Sequence, residues 1–85
     1  MLTIDLLEQA LTAARALGYE IRQEWLQETM GGPCRIGQRK VLYIDLSLSA
    51  EEQLQQAILG LKAEPEAIGT LSLPRSLMSL LAEQN

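Results

Sequence analysis

The sequence predicts an α+β fold of order αβββαα, a three-stranded antiparallel meander with its helices packed mainly on one face. Three observations predict it. Apolar residues recur at helical spacing near both ends of the chain. Between those runs the spacing switches to a period of two. Short Gly- and Pro-containing connections separate the segments, and short connections favour neighbouring strands that pair.

Residues 4–17 form the first helix. Ile4, Leu7, Leu11 and Ala14 lie on one stripe, widened by Leu6, Ala10 and Leu17. Thr3 is positioned to be its N-cap, and Asp5 and Glu8 sit where the helix dipole favours negative charge. Gly18 follows as a residue able to adopt positive φ and end the helix.

Residues 19–27 alternate. Tyr19, Ile21 and Trp25 share an apolar face, Glu20, Arg22 and Glu24 a wet one, and Gln23 interrupts the first. A turn cluster follows at Met30-Gly31-Gly32-Pro33. Cys34-Arg35-Ile36 and residues 39–46 then flank Gly37-Gln38 as a β-hairpin. The strand Val41-Leu42-Tyr43-Ile44-Asp45-Leu46 is apolar on both faces for four residues, so it is better covered than the first.

Ser49-x-x-Glu52 is a capping box that starts the second helix. Leu54, Ala57, Ile58 and Leu61 are its apolar stripe, and Gly60 weakens its last turn. Residues 63–70 contain Pro65 and Gly69 and read as a loop. Residues 73–83 form the third helix, with Pro74 in the first turn and Leu73, Leu77, Leu80 and Leu81 on the apolar face beside Met78.

A chain of 85 residues with 47% hydrophobic residues is expected to form one domain over residues 1–85, with a modest Leu- and Ala-rich core. The net charge of −4 removes the basic surplus that a nucleic-acid binder needs. Cys34 is the single cysteine, which excludes an internal disulfide and a thiolate metal cage. No apolar run is long enough to span a membrane, and the N-terminus lacks the pattern of a signal peptide. The expected compartment is therefore the cytoplasm.

The sequence contains no histidine. That removes the usual general acid/base near neutral pH and the commonest metal ligand. Cys34 has no histidine base and reads as an unreactive edge-strand thiol. Asp45, Glu51 and Glu52 lack the spacing of a calcium loop and read as a strand end and a helix start. No catalytic, cofactor-binding or metal-binding residue is expected, and no cofactor.

Two places suggest a partner. Arg35, Arg39 and Lys40 cluster around the hairpin turn, the one locally basic site in an acidic chain. The last helix carries more apolar residues than a terminal helix of its length needs, so Leu73, Leu77, Met78 and Leu81 are candidates for contact with another protein or a second copy. The edge of the strand at 19–27 offers a second route to dimerisation.

The segment from Val41 to Gln53 resembles part of the small zincin-like metallopeptidase domains of the ImmA/IrrE type. There a hairpin strand ending in Ile-Asp leads to a Leu-Ser-x-Glu-Glu helix start, and the same helix carries His-Glu-x-x-His. Laid on this chain, that motif falls at Leu59, Gly60, Leu61, Lys62 and Ala63, and neither the zinc ligands nor the general-base glutamate match. The resemblance implies a shared strand-to-helix framework without the activity.

The leading expectation is a non-enzymatic interaction or assembly module, with a homodimer among its forms. A ligand-binding or histidine-independent enzyme domain would need Asp45, Tyr43, Arg39 and Cys34 to converge. A regulatory subunit would engage an acidic partner through the basic hairpin.

Overall fold

A computed structural model describes residues 2–26 and 31–83. Along the described chain lie α1 (Thr3–Ala16), β1 (Glu20–Glu24), β2 (Gly32–Ile36), β3 (Arg39–Asp45), α2 (Ala50–Lys62), α3 (Pro65–Ile68) and α4 (Arg75–Glu83). This is an α+β fold, but its sheet is mixed.

The helix ends show how local sequence sets the elements. Gly18 has φ of 95° just past α1. Its N–H donates to the Arg15 carbonyl, and the Tyr19 N–H donates to that of Ala14. These two bonds are a Schellman motif, which turns the chain sharply out of the helix and into β1. At the other end Thr3 is already helical. The cap position belongs to Leu2, with no side-chain bond, so the expected Thr3 cap is corrected. Ile4, placed on the core stripe by periodicity, is largely exposed. In α2 the capping box forms in full: the Glu52 N–H donates to Ser49 Oγ, and the Ser49 N–H donates to Glu52 Oε1.

The sheet order is β1-β3-β2, with β1 parallel to β3 and β2 antiparallel to it. The expected antiparallel meander is therefore corrected. The hairpin itself is as anticipated, with Ile36 paired to Arg39 across a turn in which Gly37 has φ of 63°. The difference is the position of β3, which enters between its two predecessors. Two features of the residues account for this. Val41, Leu42 and Ile44 are buried on both faces, which only a central strand can achieve. Pro33 has no N–H to donate to a ladder, which confines β2 to an edge.

Trp25 was expected to cover the sheet alongside Tyr19 and Ile21. β1 ends one residue before it, and Trp25 is 70% exposed. Gln27 and Met30, expected in the first strand and the following turn, lie outside the described residues. Leu42 and Ile44 face the helices and join Leu7, Leu11, Leu54, Ile58 and Leu61 in one core. The opposite face carries Glu20, Arg22 and Glu24 of β1, where Arg22 pairs with both glutamates.

Gly60 has a packing reason for its place in α2. A Cβ there would lie 2.9 Å from Cδ1 of Leu42 and 3.2 Å from Cδ2, so α2 approaches β3 closely only because that position is bare. The region expected to be a plain loop contains α3. The last helix begins at Arg75 rather than residue 73, leaving Leu73 and Pro74 in the segment before it.

Candidate interaction surface

The basic hairpin does not form one patch. Strand alternation places Arg35 and its register partner Lys40 on the helix side of the sheet, and Arg39 on the open side. Arg39 pairs there with Glu20 of β1. Lys40 is drawn inward, its side chain 20% exposed. Its ammonium donates to the Leu17 carbonyl at 2.7 Å, pairs with Glu64 Oε1 at 2.8 Å, and lies 4.7 Å from the centroid of the Tyr19 ring. It thereby links the end of α1, the start of α3 and the hairpin. Arg35 is the cation of the three that forms no ion pair among the described residues, and it is exposed.

Tyr19 is buried beneath this cation, and its hydroxyl donates to the Gly60 carbonyl at 2.9 Å. That carbonyl belongs to the last turn of α2, where helical acceptors lose their intrahelical donors. The Glu64 N–H that would reach it donates to the Leu61 carbonyl instead. Tyr19 therefore caps the C-terminus of α2 from the first strand connection. A hollow of about 200 Å³ opens beside it, lined by Tyr19, Pro33, Arg35, Lys40 and Glu64 among others.

These groups make the protein's response to pH directional. Burial, then the nearby Glu64 carboxylate, pushes the Tyr19 phenol above its ordinary 10.0, against a smaller opposing pull from Arg35. Its contribution is present below pH 10.0 and is lost as the pH rises through the folded value. The Lys40 hydrogen bond holds Glu64 below 4.5, and the Arg39 and Arg22 bonds do the same for Glu20. Ser47 holds Asp45 below 3.8. Those three contributions are present above the ordinary values and are lost as the pH falls through the depressed ones. Urea midpoints are therefore expected to hold steady near neutrality and to drop on both the acid and the alkaline limb. Tyr19→Phe should lose about 1 kcal/mol at pH 7 through the orphaned Gly60 carbonyl. It should also flatten the alkaline limb. A Phe variant as stable as the native chain, with the same alkaline limb, would contradict the capping role.

The residues needed for histidine-independent chemistry do not converge. Arg39, Tyr43 and Asp45 share the open sheet face by alternation, with Cys34 in the neighbouring strand, but Arg39 and Asp45 stand at opposite ends of β3, about 20 Å apart along the strand. The Asp45 carboxylate accepts from the Ser47 hydroxyl at 2.7 Å, the Ser47 N–H at 2.9 Å and the Leu26 N–H at 3.2 Å. It closes the turn after β3. Cys34 is exposed on its edge strand. Glu52 is held in the capping box. Among the described residues no three carboxylate or thiol groups assemble a metal site.

The apolar candidates divide sharply. Leu77 is fully buried and packs in the chain's own core, so it is not available to a partner. Leu73 and Leu81 are half-buried against that core. Met78, the residue next to Leu77, is 55% exposed. Leu73, Met78 and Leu81 meet Ile68 and Leu71 around a hollow of about 270 Å³ at the corner of α3 and α4. Sequence periodicity identified this helix face. It missed the groove beside it, of about 530 Å³, between α1 and residues 71–74. The signal for that groove was the stripe Asp5, Glu8, Thr12 and Ala16, a helix face that no apolar pattern marks.

No helix among the described residues is long and apolar enough to cross a membrane. No protein-family model, curated protein or solved structure matches the chain.

Proposed function

We propose that this chain is a small non-enzymatic protein-interaction module acting in the cytoplasm, with its contact surface at the apolar corner of α3 and α4. The observation that carries the reading is the contrast along α4. Leu77 satisfies the core, and the apolar stripe continues past it to Met78, which is more than half exposed. An apolar stripe wider than the core beneath it is what a partner-binding helix presents.

The polar side chains support the same reading from the other side. Lys40, Glu64, Asp45, Arg39 and the Tyr19 hydroxyl each have an internal partner that holds the fold. The resemblance of the β3-to-α2 segment to metallopeptidase domains fits a framework turned to binding: where the metal motif would stand, Gly60 packs on Leu42 and Leu59 is exposed. A regulatory role for the basic hairpin draws support from Arg35 alone, because Arg39 and Lys40 are already paired.

Self-association is the form most readily measured. Pairing through a small exposed apolar corner is expected to be weak and to depend on concentration. Sedimentation velocity should show a concentration-dependent dimer for the native protein. Met78→Glu should be monomeric at the same loading. A native protein that stays monomeric throughout would contradict the homodimer form.

A further inference from the structure

We propose that the groove between α1 and residues 71–74 receives a basic amphipathic segment of a partner protein. The inference rests on the interaction-module reading and assigns it a second, separate surface with a defined partner chemistry.

The floor of the groove is apolar, made by Ala13 and Ala16 of α1 facing Leu71, Leu73 and Pro74. Its volume, about 530 Å³, is in the range that takes several side chains at once. Asp5 and Glu8 stand on its rim at the start of α1. Both are exposed, and neither forms an ion pair among the described residues. None of the residues lining the groove is basic. One helical turn separates the two carboxylates, so they suit two cations one turn apart on a partner helix.

The charges of the chain argue for a foreign occupant over a second copy. Arg22, Arg39 and Lys40 pair within the chain, and Arg15, Arg35, Lys62 and Arg75 lie on four different elements, so a second copy offers no helix with two cations one turn apart to this rim. A segment with leucines at helical spacing and lysines along one margin meets both demands: its apolar face fills the floor and its cations reach Asp5 and Glu8. Nucleic acid and anionic membrane carry the wrong charge for this rim.

The test uses the whole chain and a fluorescein-labelled helical peptide of leucine and lysine, about 14 residues long to match α1. Binding is read by anisotropy at about 150 mM salt, where distant charges are screened. Amide shifts in a ¹⁵N-labelled sample locate the site. The expected result is shifts confined to residues 5–16 and 71–73. Asp5→Lys with Glu8→Lys should weaken binding about tenfold. Asp5→Asn with Glu8→Gln, a milder pair that keeps the helix start intact, should weaken it by a smaller factor. Glu51→Lys with Glu83→Lys changes net charge equally at a distance and should leave affinity nearly unchanged. Met78→Glu should also retain binding.

The proposal is overturned by no binding of the peptide, by equal weakening by the two lysine pairs, or by equal binding of a leucine–glutamate peptide. Shifts centred on Met78 and Leu81 would overturn it too, while leaving the α3–α4 contact reading in place.

Discussion

Leu77→Ala should lose about 3–4 kcal/mol of stability, most of what a domain of this size possesses. Leu77 is fully buried and is the buried residue of α4. Removing its branched end leaves a cavity where α4 meets the core formed by α1, α2 and β3, and the surrounding helices relax only in part. For a chain of this length each kcal/mol shifts the melting temperature by about 4–8 °C, so thermal unfolding should move down by about 12–32 °C. Circular dichroism at the helical band reads this directly. An unchanged melt would mean that α4 does not dock as described.

The second large effect is expected at Gly60, and it runs against helix propensity. By propensity alone a residue with a Cβ in the last turn of α2 should gain up to about 1 kcal/mol over glycine. Gly60→Val should instead lose about 2–3 kcal/mol. Its added atoms would meet the end of the Leu42 side chain, which is fully buried, so any move it makes presses on the core around it. The shift of α2 away from β3 would also draw the Gly60 carbonyl from the Tyr19 hydroxyl. Gly60→Ala sits between the two effects and should be close to neutral in a urea titration. A Val variant more stable than the native chain would contradict the close approach of helix and sheet.

Much of the fold is legible in local sequence, because its signals are short-range. Gly18 after a helical run, Ser49 three residues before Glu52, and Gly37-Gln38 between alternating segments each define an element boundary by backbone chemistry. The order of strands is not local. The tendency of consecutive strands to pair favoured a meander, and the two facts that oppose it, Pro33 in β2 and the two-sided burial of β3, carry weight only when set against each other.

The interaction surface was legible in part for a similar reason. Arg35, Arg39 and Lys40 look like one cluster along the chain, but the hairpin register sends Arg39 to the opposite face from the other two. Whether a cation is free depends on Glu20 and Glu64, which are distant in sequence. Leu77 and Met78 are adjacent, and periodicity puts Leu77 on the apolar face with Met78 beside it. The boundary of the core, which runs between them, is a tertiary fact.

On the proposed reading α4 serves two purposes: Leu77 holds the fold and Met78 meets a partner. The most direct measurement follows melting and sedimentation together on native protein and Met78→Glu. The native protein is expected to be a dimer that dissociates on dilution, and Met78→Glu a monomer that melts as the native monomer does, because an exposed substitution leaves the core untouched. A Met78→Glu chain that associates as the native one does, or that loses its fold, would contradict it.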